Sequence, residues 1–270
     1  MSETLDMHGL LRIVAGGVSL TAEQAEAAFE HVMAGQATDA QIGALLTAMQ
    51  VRTGGPTTEE IIGAARAMRA RAQSVAVPEG FEVIDTCGTG GDSSGTFNIS
   101  TTAALIAAGG GAYVAKHGNR SVTSNSGSSQ VLEALGVNLA ATGDQLTACL
   151  SEARICFCFA PAHHPAMKHA IGPRRELGFR TIFNVLGPLT NPAGARRQVL
   201  GVFDERLTET LAAVLRELGS VHAIVVHGKT LARPDTTHGG LGLDEITTTG
   251  PTTLTVLKDG RVDTSTLHPA

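Results

Sequence analysis

The segment DTCGTGGDSSGTFNIST, residues 85–101, combines four glycines, two acids and a crowd of hydroxyls. Gly88, Gly90 and Gly91 follow a β-like run at 82–86. Lacking side chains, they let main-chain N–H groups come close to a ligand and adopt positive φ. Successive N–H groups in such a turn form an anion-binding nest. A helix is expected to start near Asn98, and its unsatisfied N–H groups and positive dipole end suit a second anion. Ser100 and Thr101 add hydroxyl donors there. The chemistry implied is phosphate binding at more than one point. The competing reading is a tight strand-to-helix turn that needs glycine for shape alone. The spacing matches neither the P-loop nor the dinucleotide fingerprint. Asp92 is out of place beside an anion unless a cation mediates or a sugar hydroxyl is its partner.

A second polar segment, KHGNRSVTSNSGSS at 116–129, again follows a β-like run and precedes a helical one. Lys116 and Arg120 bring positive charge, and Ser124, Ser126, Ser128 and Ser129 bring hydroxyls close to a helix start. Two such loops on one sheet edge describe a ligand with several phosphates. A solvated polar loop is the alternative.

The elements that must carry these loops are legible as alternation. Strands are predicted at 82–86, 112–116, 154–159, 198–203 and 222–227, and helices at 99–109, 127–136, 143–152 and 205–218. That order predicts an α/β domain around a mainly parallel sheet, with ligands at the C-terminal strand ends. TTLTVLKDGRVDTSTL predicts a hairpin turning at Asp259-Gly260, and HGKTLARPDTTHGGLG a long polar loop. The first part of the chain is helical. Thr21-Ala-Glu-Gln24 has the form of a capping box. Ile42, Leu45, Leu46 and Met49 share one helical face, as do Ile61, Ile62, Ala65 and Met68. These helices carry little chemistry, so their apolar faces must pack on the rest of the chain or on a second copy.

The 270 residues, 43% hydrophobic, suffice for one large domain or two modest ones. A net charge of −5 argues against sequence-independent nucleic-acid binding. No apolar run has the roughly 18 residues of a membrane span, and MSETLDMHGL does not have the pattern of a signal peptide. Cys87, Cys149, Cys156 and Cys158 are few and unevenly spaced, as reduced thiols in a cytoplasmic protein are. Cys156-Phe-Cys158 is either half a metal site or part of a buried strand, ICFCF.

Taken together, GTGGD (88–92), NIST (98–101), KHGNRSV (116–122), SGSSQVLEALGV (126–137), APAHHPAMKHA (160–170), RRELGFRTIFNVLGPLTNPA (174–193) and GLDEI (242–246) resemble the anthranilate phosphoribosyltransferases of tryptophan biosynthesis. The resemblance spans nearly the whole chain. It implies a small helical domain at 1–78, packed with helices from about 163–190, and a phosphoribosyl-binding α/β domain at 79–270. It further implies a homodimer formed through the helical domain, and Mg²⁺-dependent transfer of a phosphoribosyl group from phosphoribosyl pyrophosphate (PRPP) to the amine of anthranilate.

By the same resemblance, Gly88, Thr89, Gly90, Gly91, Asp92, Thr96, Asn98, Ser100, Thr101, Lys116 and Ser128 are expected at PRPP. Gly88, His117, Asn119 and Arg174 are expected at anthranilate, and Ser100, Asp244 and Glu245 at the metal. Arg174 could pair the anthranilate carboxylate through two parallel hydrogen bonds. Asp244 and Glu245 can both serve one site only from a loop or through two ions, because neighbouring residues in a strand face opposite ways. No residue is assigned as acid or base, since the amine is already nucleophilic. His163 and His164, at an expected helix start, read as structural. Family members continue several tens of residues past TSTLHPA, so the α/β domain is expected to be shortened at its C-terminal end. The stretch 229–241 resembles an insertion that either displaces the acidic pair or covers the site. A pyrimidine nucleoside phosphorylase-like enzyme and a non-catalytic nucleic-acid-binding relative of the same fold are the alternatives.

Overall fold

The computed structural model describes residues 6–90, 96–120, 127–230 and 242–269. Four helices come first: α1 (Met7–Ala15), α2 (Ala22–Met33), α3 (Asp39–Val51) and α4 (Thr58–Ala70). Strands and helices then alternate through β1 (Val83–Gly88), α5 (Ile99–Gly109), β2 (Tyr113–Gly118), α6 (Ser128–Ala134), α7 (Asp144–Ala153) and β3 (Ile155–Phe159). Helices α8 (Ala160–His163), α9 (Lys168–Leu177) and α10 (Phe183–Leu186) lead to β4 (Arg197–Gly201), α11 (Leu207–Glu217) and β5 (His222–Lys229). The short β6 (Gly242–Leu243) and the pair β7 (Thr252–Lys258) and β8 (Arg261–Leu267) close the described chain. Two compact units result: Met1–Gln73 with His163–Thr190, and Ser74–Ala162 with Asn191–Ala270.

The helical unit starts its helices with one device used three times. Thr21, Thr38 and Thr57 each form a capping box with the residue three places on, Gln24, Gln41 and Glu60. Each N-cap contributes about 1 kcal/mol. Ile42, Leu45, Leu46 and Met49 are buried, as their spacing predicts, and so are Ile61, Ile62, Ala65 and Met68. Helices α2 and α4 approach closely because small residues line the contact; a Cβ on Gly63 would overlap the carbonyl of Ala22. Phe29 meets Phe183 of α10 edge to face, centroids 5.5 Å apart. Glu60 is fully buried and fully used. It accepts from Leu20 N at 3.0 Å and Thr57 N at 2.9 Å, and pairs with Arg52, whose other nitrogen donates to Ser19 Oγ.

The second unit is built on a sheet of order β3-β2-β1-β4-β5-β7-β8, with β6 on β5. β3, β2, β1, β4 and β5 run parallel; β6, β7 and β8 join antiparallel. This is the expected α/β class with a mainly parallel sheet and a preceding helical segment. Apolar residues alternate between two packing layers. Ala115, Cys156 and Cys158 pack with Leu146 and Leu150 of α7. Val114, Ile84 and Ile155 pack with Ala104 and Ala108 of α5. ICFCF is therefore strand β3, its two cysteines buried. β1 runs two residues past the expected 86, because Cys87 and Gly88 find partners in Leu200 and Gly201 of β4. The hairpin turns where expected. Asp259 (φ 52°) and Gly260 (φ 74°) are both left-handed, as a two-residue type I′ turn requires.

Candidate active site

The sheet reverses its winding between β1 and β4. The chain steps outward from β1 to β2 and β3, then returns to lay β4 on the other side of β1. Ligands in open α/β sheets bind at such a switch point, beyond the carboxyl ends of the strands. The glycine turn Gly88-Thr89-Gly90 lies there. Thr89 N donates to Gly201 O at 2.9 Å, and Phe203 N donates to Thr89 Oγ1 at 3.1 Å. These bonds tie the turn to the end of β4. Gly90 has φ 69°, which glycine adopts without penalty.

The acidic pair is brought to the same place. Asp244 and Glu245 sit in a bend after β6, not in a strand, so they are freed from the strand rule that sends neighbours to opposite faces. Asp244 Oδ2 accepts from Gly90 N at 2.7 Å. Three glycines make room for the bend. A Cβ on Gly88 would lie 2.5 Å from Asp244 Oδ2, one on Gly228 would lie 2.5 Å from Glu245 O, and one on Gly201 would overlap the Asp244 carbonyl. His227 Nδ1 bonds Val202 O at 2.8 Å and its ring backs Gly242, bracing the approach to the bend.

Below the turn lies a buried cation. Lys116 is 2% exposed. Its Nζ donates to Thr86 O at 2.6 Å and Ser100 Oγ at 3.2 Å. Desolvation lowers its pKa, while the charges of Asp85 and Glu245 oppose that fall. Thr86 Oγ1 in turn donates to Ser100 O at 2.8 Å, fastening the first turn of α5 to β1. Asp85, also buried, is pushed up by desolvation and held back by Lys116 and by hydrogen bonds. Its Oδ1 accepts from His117 N at 3.1 Å and its Oδ2 from Asn191 Nδ2 at 2.8 Å.

The sequence-expected residues divide as follows. Gly88, Thr89, Gly90, Asn98, Ser100, Lys116, His117, Asn119, Ser128, Asp244 and Glu245 all belong to the α/β unit, on strand ends or the loops and helix starts that follow them. Asn98 is the N-cap of α5, and Thr96 lies just before it, exposed. Thr101 is buried with its hydroxyl facing inward, so what it can offer an anion is its main-chain N–H. Ser129 is likewise buried, leaving half-buried Ser128 as the available hydroxyl at the start of α6; its Oγ donates to Asn119 O at 3.4 Å. Arg120 faces Glu133 at 3.1 Å and lies over the Phe159 ring, both at the surface. Gly91, Asp92, Ser124, Ser126 and most of the 229–241 stretch lie outside the described residues. Arg174 belongs to the helical unit, on α9, with its guanidinium 5.0 Å from the centre of the Phe183 ring and its pKa lowered by burial. Sequence reasoning missed Asp85, Asn191, Gly201, Gly228 and His227. Their signal was weak: a lone acid before a glycine loop, an Asn in a proline-rich turn, two glycines at strand ends and a His in a strand.

The donor set fits a hard divalent cation that shares its ligands with a substrate. Asp244 and Glu245 would offer it carboxylate oxygens, and Ser100 a hydroxyl. Among the described residues no group of three or more His, Cys, Asp or Glu could hold a metal unaided. Mg²⁺ is commonly bound in that way, by one or two carboxylates plus phosphates and water.

Comparison with known proteins agrees with this geometry. The helical bundle domain of the glycosyl transferase family matches residues 9–72, and the a/b domain of the same family matches residues 80–270. An anthranilate phosphoribosyltransferase of Thioalkalivibrio sulfidiphilus is 49% identical over 98% of this chain and 74% of its own length. The crystal structure of the Thermus thermophilus anthranilate phosphoribosyltransferase superposes with a TM-score of 0.85 at 40% identity, covering 96% of this chain and 73% of that one. The Saccharomyces cerevisiae enzyme, solved in complex with PRPP and Mg, has a TM-score of 0.82 at 27% identity, over 97% of this chain and 72% of that one. With its matched helical and α/β domains and its phosphate-suited turns at the sheet's switch point, the chain belongs to the anthranilate phosphoribosyltransferase family.

Proposed function

We infer that the chain transfers the 5-phosphoribosyl group of PRPP to the amine of anthranilate, giving N-(5-phosphoribosyl)anthranilate and pyrophosphate. One observation carries the assignment of the site: Gly88–Gly90, the α5 N-terminus above buried Lys116, and the Asp244–Glu245 bend converge on the ends of β1 and β4. In the reaction the amine nitrogen bonds to the anomeric carbon, the bond from that carbon to the pyrophosphate oxygen breaks, and the amine gives up a proton. Main-chain N–H groups of the first turn of α5 bind the phosphates, beside the Gly88–Gly90 turn, whose Thr89 and Gly90 N–H groups are held by Gly201 O and Asp244 Oδ2. Lys116, being buried, acts on them through Ser100 and through its field. Thr89, Thr96, Asn98 and Ser128 complete the PRPP contacts. Asp244, Glu245 and Ser100 are the residues that would hold Mg²⁺, which when bound offsets charge on the departing pyrophosphate. His117, Asn119 and Arg174 receive anthranilate, Arg174 by pairing its carboxylate. Catalysis is mainly positioning, since the nucleophile needs little activation.

The protein pairs with a second copy through its helical unit. Supporting this, Val18 and Val51 are 59% and 73% exposed there, flanking the hydrogen-bonded Ser19 and Arg52. It works in the cytoplasm without nucleic acid, consistent with four free cysteines and a net charge of −5. No helix among the described residues is long and apolar enough to cross a membrane. The identity over nearly the whole chain favours the transferase over a nucleoside phosphorylase-like enzyme or a nucleic-acid binder. The test is loss of anthranilate fluorescence on mixing protein, PRPP and Mg²⁺, with pyrophosphate measured in parallel. Stoichiometric loss and release are expected. No loss from folded protein would refute the assignment.

A further inference from the structure

Strands β1 and β2 are neighbours, yet they are paired only at Val83 with Tyr113 and Ile84 with Val114. Each stays paired to its end on its other side: β1 with β4 through Gly88, and β2 with β3 through Gly118. Main-chain pairing between β1 and β2 therefore stops before their C-terminal halves, although the strands stay side by side. Ending the ladder there strands main-chain donors and acceptors, and a buried unpaired one costs about as much as a lost hydrogen bond. Side chains take over the bonding. Lys116 Nζ donates to Thr86 O at 2.6 Å, Asn191 Nδ2 donates to Ala115 O at 2.8 Å, and Asp85 Oδ1 accepts from His117 N at 3.1 Å. Asn191 Nδ2 also donates to Asp85 Oδ2 at 2.8 Å, and Asn191 Oδ1 accepts from Ala193 N at 2.9 Å, so the three bridges form one network.

This break in pairing is built rather than frayed. Asp85, Lys116 and Asn191 are 1%, 2% and 9% exposed. Burying a carboxylate and an ammonium is expensive, and apolar side chains beside an ordinary ladder would be cheaper. One lip of the break carries the Gly88-Thr89-Gly90 turn, and the other carries His117-Gly118-Asn119. Under the proposed function these are the turns for PRPP and for anthranilate. We propose that Asp85, Lys116 and Asn191 are positioning residues that fix the spacing of the two lips, and through it the distance between the sugar carbon and the attacking amine. The proposal rests on the functional assignment above.

Asp85→Asn, Asn191→Asp and the reciprocal double exchange test it. Asn191→Asp sets two carboxylates face to face, Asp85→Asn sets two amides face to face, and the exchange restores a donor opposite an acceptor between positions 85 and 191 while leaving Ala115 O without its donor. Reaction geometry is steep in distance, so each single variant should lose about 100-fold in kcat. The Kd of PRPP with Mg²⁺ and of anthranilate, measured by calorimetry, should stay within about 3-fold, and the exchange should recover about 10-fold in kcat. Should Asp85→Asn not fold, Asn191→Ser, which removes the bonds to Asp85 and Ala115, takes its place. Folded single variants with wild-type kcat would overturn the proposal. So would a loss that merely follows the folded fraction. No turnover by the wild-type protein would overturn the functional assignment and the proposal together, whereas normal wild-type turnover with insensitive variants would overturn the proposal alone.

Discussion

Gly228→Ala tests how tightly the acidic bend is seated. Gly228 is pinned in the sheet, paired with Leu243 of β6 and Thr252 of β7. An added methyl would stand 2.5 Å from Glu245 O, 3.1 Å from Thr247 Cγ2 and 3.2 Å from Thr247 Cβ. Ordinary contact begins near 3.4 Å, so the main chain at Glu245 must retreat by about 1 Å. Overpacking of this kind costs about 1–3 kcal/mol in stability. Its larger effect should be on turnover, because a shift of about 1 Å in a positioning group can lower the rate about 100-fold. The assay is anthranilate fluorescence across a Mg²⁺ titration, with a thermal melt of the same sample. A fall in kcat and a raised Mg²⁺ requirement are expected, with only a modest fall in Tm. Gly43→Ala is the matched control, a helical glycine with nothing within 4 Å of its Cβ position; it should stabilise α3 by about 0.5–1 kcal/mol. Wild-type kcat and Mg²⁺ dependence in Gly228→Ala would show that the bend is not held as described, or that it takes no part in the reaction.

Other outcomes follow from the same geometry. Asp244→Ala with Glu245→Ala should remove most activity and the response to Mg²⁺, and should lower the melting temperature modestly because Gly90 N loses its acceptor; intact Mg²⁺-dependent turnover would refute the metal assignment. Glu60→Gln should cost about 3 kcal/mol by leaving Arg52 half-buried without its anion, visible as a lowered melting temperature. His164 is held neutral by desolvation first and by His163 second, its pKa down from 6.5 to about 4. Between those values the unfolded chain binds a proton that the folded chain refuses. Stability is therefore full above about pH 6.5 and declines as pH falls to 4, by up to about 3 kcal/mol from this group. His164→Gln should flatten that part of the urea-denaturation profile, and an unchanged slope would refute the assignment. An open groove lined by Ile84, Val199 and Ile224 on β1, β4 and β5 should bind an apolar fluorescent dye. Val199→Lys should weaken the dye signal and spare turnover.

Local signals were the most legible. The Thr21–Gln24 capping box, the β1–turn–α5 passage and the Asp259-Gly260 hairpin each involve residues close in sequence, where types alone dictate geometry. The alternation of strand-like and helical runs likewise announced a mainly parallel sheet. What escaped was set by distant partners. The pairing of Cys87 and Gly88 with Leu200 and Gly201 lengthens β1, and nothing within the segment foretells it. Asp85 beside a glycine loop resembles a loop acid until Asn191, 106 positions away, is found against it. The partner of Arg120, Glu133 on α6, is likewise not announced by the loop that holds Arg120. Which glycines matter could not be told by counting them; Gly228 and Gly201 matter because a remote bend passes over them.

The helical unit is assembled from two pieces of chain, 1–73 and 163–190, separated by three strands of the other unit. On the ribosome, Phe29 must therefore wait for Phe183. At ordinary elongation rates the wait is on the order of ten seconds. During it, the apolar faces of α2, α3 and α4 have only one another and α1 for cover, while β1, β2 and β3 emerge before β4 exists to lie beside β1. The order of synthesis thus runs against the order of the sheet. The first four helices, cut off as a free fragment, would present the seat of α10 as a sticky surface, which makes chaperone dependence and aggregation during translation properties of this topology rather than of any single residue.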